Sequence, residues 1–98
     1  MDKRGSERFW LEAELRAADF DREFYLVYQP QVDPGTGSVL GMEALLRWRQ
    51  PDRGEVPPVK FIPIAEQTGL IETIGTWVLR KACSDLSSLK EGLSLIHI

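Results

Sequence analysis

The residues of this sequence best suited to chemistry are a carboxylate and a guanidinium four positions apart. Glu43 and Arg47 lie in residues 39–48. In a β-strand they would project from the same face, about 13 Å apart at ~3.3 Å per residue. A carboxylate is a hard oxygen ligand that suits Mg²⁺ or Mn²⁺, and a guanidinium matches phosphate oxygens. Gln29, in the preceding segment, adds an amide that both donates and accepts hydrogen bonds. Together they suit a metal-assisted phosphodiester site, although an ordinary strand with one solvent-facing side has the same pattern.

A β-hairpin would bring these residues together. Residues 24–32 are rich in aromatic and β-branched side chains, which favour a strand, and residues 33–37 form a dense turn sequence. Pro30 has no N–H to donate, so this strand should lie at a sheet edge or end there. Residues 39–48 are ambiguous, because residues 42–47 are good helix formers while the short turn favours a strand. As a strand they would have two distinct faces. The apolar face would be formed by Met42, Ala44, Leu46 and Trp48. The opposite, functional face would be formed by Gly41, Glu43, Leu45 and Arg47.

The other segments predict helices around this hairpin. Residues 6–20 form a charged amphipathic helix that leads into or covers another part of the protein, and residues 50–58 form a surface loop. A short helix over residues 61–68 has Pro63 in its first turn and Gly69 just after its end. Residues 71–89 carry the clearest helical stripe, with Cys83 expected to be a small buried side chain. Gly92 would end the connection to residues 93–98, which resemble the start of another strand, although such a tail could equally be non-native.

Length and composition limit the class of protein. The 98 residues are 43% hydrophobic and 28% charged, as in a soluble globular domain. The net charge of −3 provides no basic field for a nucleic acid polymer, and no apolar run is long enough to span a membrane. One cysteine fits a reducing compartment, so a cytoplasmic location is expected.

The sequence resembles the EAL-domain family of bacterial signal-transduction proteins. The shared motifs are Tyr28-Gln29-Pro30-Gln31-Val32-Asp33, Gly41-Met42-Glu43-Ala44-Leu45-Leu46-Arg47-Trp48, Phe61-Ile62-Pro63-Ile64-Ala65-Glu66, Gly69-Leu70-Ile71 and Trp77-Val78-Leu79. The resemblance implies an α/β fold, a modified (β/α)8 TIM barrel that opens with a helix and an antiparallel hairpin. It also implies metal-dependent hydrolysis of cyclic di-GMP to linear pGpG.

The resemblance assigns roles to three residues of the predicted functional face and to Gln29 on the preceding strand. Glu43 would be a metal ligand for Mg²⁺ or Mn²⁺ at the C-terminal mouth of its strand. Arg47 would hold a substrate phosphate, Gln29 would touch the bound dinucleotide, and Leu45 would line the pocket. The partners implied are cyclic di-GMP, a second copy of the full-length protein, and an upstream GGDEF or sensory domain.

The chain is expected to be the N-terminal part of such an enzyme. A barrel of about 250 residues would be cut after about two-fifths of its length. Residues 1–20 would be a linker or lead-in helix and residues 21–98 an incomplete EAL domain, inactive alone. One alternative is a degenerate EAL domain that binds cyclic di-GMP or a protein without turnover. Another is a small α+β interaction module in which Trp10, Trp48 and Trp77 are core residues.

Overall fold

A computed structural model describes residues 3–87 and 96–97. The described helices are α1 Lys3–Ala17, α2 Phe20–Glu23, α3 Pro58–Thr68 and α4 Leu70–Asp85. The described strands are β1 Phe24–Val32, β2 Val39–Gln50, β3 Gly54–Val56 and β4 Ile96–His97. These elements form one sheet with helices packed on one of its faces.

The predicted hairpin forms, so the strand interpretation of residues 39–48 is confirmed. β1 and β2 pair antiparallel from Phe24↔Trp48 to Gln31↔Gly41, and an irregularity follows between Gln31 and Val32. The turn is fixed by Asp33, whose N–H donates to the Ser38 carbonyl over 2.9 Å and whose carbonyl accepts from the Gly37 N–H over 2.8 Å. Burial of the apolar face of β2 outweighs the helix propensity of its residues, because propensity differences are below ~1 kcal/mol per residue.

Among the described strands the order β1-β2-β3 leaves β1 at a sheet edge, as the presence of Pro30 in β1 predicted. β3 pairs antiparallel with residues 48–50 of β2, and β4 pairs parallel with Met42 and Glu43. The prediction of a surface loop over residues 50–58 was wrong at residues 54–56, which form β3, and at both ends, where Gln50 is buried in β2 and Pro58 begins α3. Three residues are too few for a periodicity to be visible in the sequence. The strand that was predicted over residues 93–98 is described only at residues 96–97.

The core lies between the apolar face of β2 and the helices. Trp48 and Phe61 are both 0% exposed, and their rings meet edge to face with centroids 5.4 Å apart. Phe24 packs against both rings, and Ile74 from α4 completes the contact. Edge-to-face pairing of this kind adds ~0.5–1.5 kcal/mol per pair beyond the burial of area.

The predicted amphipathic helix is present as α1, but it begins and ends three residues earlier than the predicted range 6–20. Its apolar stripe enters the core. Leu11 and Leu15 are 4% and 1% exposed. Glu14 on the same helix accepts a 3.0 Å hydrogen bond from the amide of Gln50, which is buried at the end of β2. α1 is therefore packed as an integral helix of the described fold.

Two expectations about the later helices were wrong. α3 begins at Pro58, so Pro63 is its sixth residue and lies in the helix interior rather than in the first turn. Cys83 is exposed. Its neighbour Ala82 occupies the inward position on α4 instead, because successive helical residues are turned by about 100°. Gly69, at φ 82°, ends α3 in the left-handed conformation, as predicted. Leu89 and Gly92 lie outside the described residues.

Candidate functional site

Four of the residues singled out in the sequence lie on one face of the hairpin, opposite the helices. Gln29 and Glu43 are Cα partners on β1 and β2, and four residue pairs away Arg47 pairs with Tyr25. Leu45 lies between them, opposite Val27, whose side chain is 41% exposed. Glu43, Leu45 and Arg47 are half-buried and Gln29 is exposed. The hairpin register therefore places all four predicted residues on the same surface, accessible to a ligand.

The position of Glu43 along its strand differs from expectation. It is the fifth of the twelve residues of β2, whereas Arg47 is the ninth. Glu43 therefore lies in the first half of the strand rather than at its C-terminal end. In the strand predicted over residues 39–48 Glu43 was already the fifth of ten residues. Its placement at a C-terminal end came from the family resemblance and not from the geometry of the strand.

The side chain that contacts Glu43 is Gln31. The Nε2 of Gln31 donates a 3.1 Å hydrogen bond to Oε2 of Glu43. Gln31 was not among the predicted site residues. The available clue was its position two residues after Gln29, which puts both amides on the same face of β1.

Arg47 has charge available for an anion. Its Nη1 donates to the Leu46 carbonyl over 3.1 Å. Within residues 3–87, no carboxylate forms an ion pair with Arg47. A guanidinium has five N–H donors, so several of those of Arg47 remain for phosphate oxygens.

Arg49, the next arginine on this face, is by contrast already paired. Its Nε lies 3.0 Å from Oε1 of Glu55 on β3, and its guanidinium lies 5.3 Å from the centre of the Tyr25 ring. The Tyr25 hydroxyl donates to the same Glu55 oxygen over 2.6 Å, and this hydrogen bond raises the pKa of Tyr25. Because Glu55 compensates its charge, Arg49 is the weaker candidate for binding phosphate.

The donor set partly fits a divalent metal. The Glu43 carboxylate is a suitable oxygen ligand, and its Oε2 is already oriented by Gln31. Among residues 3–87 and 96–97, no three His, Cys, Asp or Glu side chains form a group that could hold a metal. Glu43 could therefore supply one ligand, and the other ligands would have to come from outside the described residues.

A mainly apolar groove of about 440 Å³ runs between β2 and helices α3 and α4. Residues 43–47 of β2 line one side of it, and Ile62, Ile71 and Val78 lie among the helix residues on the other side. Glu43 and Arg47 therefore border this groove, so the groove adjoins the candidate site. None of the described helices is long and apolar enough to cross a membrane.

The chain is similar to known proteins over almost its whole length. The family model for the EAL domain matches residues 12–98. The chain is 47% identical over 98 residues to the oxygen sensor protein DosP of Escherichia coli. It is 42% identical over 92 residues to the bifunctional diguanylate cyclase/cyclic di-GMP phosphodiesterase MucR of Pseudomonas aeruginosa. These matches cover 100% and 94% of this chain but only 12% and 13% of the two relatives.

Solved structures share the fold described above. The PaMucR phosphodiesterase in complex with c-di-GMP has a TM-score of 0.75 and 43% identity, and the match covers 91% of this chain and 36% of that chain. The cGMP-bound form of the EAL enzyme Bd1971 has a TM-score of 0.74 and 37% identity, over 91% of this chain and 24% of that chain. The chain thus corresponds to a minor part of each of these proteins.

Proposed function

The chain belongs to the EAL domain family and has the fold of part of an EAL-type (β/α)8 barrel, and on this premise we propose that it is the N-terminal portion of a bacterial cyclic di-GMP phosphodiesterase. The proposed reaction is hydrolysis of cyclic di-GMP to linear pGpG, dependent on Mg²⁺ or Mn²⁺. The observation that carries the proposal is the shared face of Gln29, Glu43, Leu45 and Arg47 on an accessible side of the hairpin.

The described residues suggest how this face would bind its substrate. Arg47, which has no carboxylate partner within residues 3–87, would donate to a phosphodiester oxygen. Gln29 would contact the dinucleotide from the opposite strand, and the apolar side chains of Leu45 and Val27 would form the pocket surface between them. Such an arrangement orients the phosphate without supplying a general acid or base of its own.

Glu43 would be one of the metal ligands. A divalent cation, when bound, lowers the pKa of a water molecule and offsets charge on the phosphoryl oxygens. In the hydrolysis, the oxygen of water forms a new bond to phosphorus, one phosphate ester bond of the ring breaks, and the leaving oxygen takes up a proton. Since Glu43 is a single carboxylate, the proposal requires further ligands from a longer protein, in agreement with the 36% coverage of the PaMucR chain.

The proposed setting follows from the relatives. One relative is named as an oxygen sensor and another as a bifunctional cyclase and phosphodiesterase. These names support an upstream GGDEF or sensory domain, which we propose is joined through residues 1–20 to an EAL domain that begins with residues 21–98. As separate proposals, the whole protein is a homodimer and is cytoplasmic.

Substitutions in the full-length protein that contains this chain test the proposal. Glu43→Ala should abolish release of pGpG, because it removes a metal ligand. Arg47→Ala should weaken binding of cyclic di-GMP by ~1.5–3 kcal/mol, which is a factor of about 10–150 in Kd, since one charge-assisted hydrogen bond is lost. Arg49→Ala is the matched control, and we expect a less than threefold change because Glu55 already compensates that charge.

Chromatographic detection of pGpG measures turnover, and calorimetric measurement of Kd measures binding, so the two properties are determined independently. A protein that binds cyclic di-GMP through Arg47 but releases no pGpG would support the degenerate, non-catalytic alternative. A protein that neither binds nor hydrolyses cyclic di-GMP would contradict the proposal.

A further inference from the structure

We propose that Gln31 is a positioning residue for the carboxylate of Glu43, an inference that rests on the proposed function. The amide of Gln31 donates to Oε2 of Glu43 over 3.1 Å. Glu43 is half-buried on the open face of the hairpin, so its side chain otherwise has several rotamers available. A donor fixed to Oε2 restricts the choice of rotamer and would leave the other oxygen, Oε1, available to a cation.

The register of the hairpin explains why Gln31 makes this contact. The Cα partner of Gln31 is Gly41, which has no side chain to oppose it. Gln31 and Glu43 are therefore diagonal neighbours on the same face, at a separation that long side chains can span. Gln29, the direct partner of Glu43, remains free of that carboxylate in the described structure and keeps its amide for a ligand.

An irregularity of the hairpin lies next to Gln31. The register passes from Gln31↔Gly41 to Val32↔Val39, so Leu40 is an extra residue on β2. Bulges of this type are common next to functional sites, where they redirect a side chain or end the regular pairing. Gln31 is thus in the last regular pair before the irregularity, and its hydrogen bond to Glu43 joins β1 to β2 there.

A positioning role predicts that loss of the Gln31 amide changes the metal affinity but not the KM for the substrate. Side chains that hydrogen-bond to metal ligands tune metal affinity without touching the substrate. Replacing Gln31 by methionine keeps its length and removes the N–H donor. Because Gln31 is exposed, we expect Gln31→Met to leave folding unchanged, to lower the affinity for Mn²⁺ about tenfold, and to leave the KM for cyclic di-GMP at saturating metal unchanged.

The test measures the affinity of the full-length protein for Mn²⁺ in the absence of substrate. Electron paramagnetic resonance detects the unbound ion. Gln29→Met is the matched amide replacement on the same face and strand. It should raise KM for cyclic di-GMP while leaving the Mn²⁺ affinity within a factor of two. Circular dichroism of both variants confirms that the fold is retained.

The outcomes distinguish this inference from the proposed function. If Gln31→Met binds Mn²⁺ as tightly as the unsubstituted protein, while Glu43→Ala has lost both Mn²⁺ and turnover, the positioning role is wrong and the phosphodiesterase assignment survives. If the unsubstituted protein binds no Mn²⁺ and releases no pGpG, the proposed function fails, and this inference fails with it.

Discussion

The polar and charged side chains of the sheet differ in whether a neighbouring side chain already pairs with them. Arg47 and Arg49 have the same chemistry and lie on the same face, yet only Arg49 has a carboxylate partner within residues 3–87. Gln29 and Gln31 likewise share a face, and of these two amides it is Gln31 that contacts Glu43. The availability of a group for a ligand is therefore decided by its neighbours rather than by its type.

Tyr28 and Asp85 provide a second example at this scale, on the helix-facing side of the hairpin. The Tyr28 hydroxyl donates to Oδ2 of Asp85 over 2.8 Å, and Lys81 lies 3.1 Å from the other carboxylate oxygen. Burial alone would raise the pKa of Asp85, but the hydrogen bond from Tyr28 and the charge of Lys81 outweigh it and lower that pKa below its usual value of 3.8. Burial, followed by the hydrogen bond to Asp85, raises the pKa of Tyr28. The pair joins β1 to α4.

Removing the Tyr28 hydroxyl should have a pH-dependent effect on stability. A carboxylate whose pKa is lower in the folded than in the unfolded state stabilises the fold above its unfolded pKa of ~3.9, and this contribution is lost as the pH falls through the folded value. We expect Tyr28→Phe to reduce the free energy of unfolding by about 1 kcal/mol at pH 7 and by less at pH 3. Urea denaturation at the two pH values measures the difference. If Tyr28→Phe reduces the free energy of unfolding equally at both pH values, the hydrogen bond from Tyr28 does not lower the pKa of Asp85.

At the scale of elements, one glycine determines how α3 and α4 meet. Gly69 ends α3 and precedes the first residue of α4, with φ 82°. A side chain added there would meet no atom within 4 Å. The requirement for glycine is therefore conformational, because the left-handed region disfavours residues with a Cβ.

A pair of glycine-to-alanine substitutions separates backbone conformation from packing. Gly69→Ala should destabilise the fold by about 1 kcal/mol, because alanine is disfavoured at positive φ. Gly75→Ala should stabilise it by ~0.5–1 kcal/mol, because Gly75 lies inside α4, where a Cβ also meets nothing within 4 Å and alanine has the higher helix propensity. Urea unfolding followed by circular dichroism measures both changes. Effects of the same sign for the two variants would contradict this explanation.

At the scale of the whole molecule, the described residues leave apolar surface without a partner. The groove between β2, α3 and α4 is lined mainly by apolar residues, among them Ile62, Ile71 and Val78. Near the end of the hairpin, Val32, Val39 and Leu40 are 49%, 57% and 57% exposed. Among the described strands, β3 and β4 pair with residues 48–50 and 42–43 of β2, so residues 44–47 have no partner strand on that side. Open strand edges and apolar patches favour association.

The 98-residue chain alone is therefore expected to be unstable or oligomeric and to release no pGpG from cyclic di-GMP. Analytical ultracentrifugation should detect assemblies, and metal-supplemented assays should detect no product. Leu40→Lys, which places a charge on the exposed hairpin end, should reduce the assembled fraction without loss of the helical circular dichroism signal. A monomeric chain that unfolds cooperatively would favour the alternative of a small independent module, and metal-dependent release of pGpG would contradict the expected inactivity.

The sequence by itself determined the helical stripe of α4, the turn at Asp33 and the left-handed end of α3 at Gly69, and it left residues 39–48 open between strand and helix. It also placed Glu43 and Arg47 on one face. Only the tertiary structure decided that Gln31 contacts Glu43, that Glu55 on the unpredicted strand β3 compensates Arg49, and that Cys83 faces outward. The physical reason is that periodicity follows from the geometry of a single strand or helix. Contacts between side chains 12 residues apart, as in Gln31 and Glu43, depend instead on the pairing register and on the packing of separate elements.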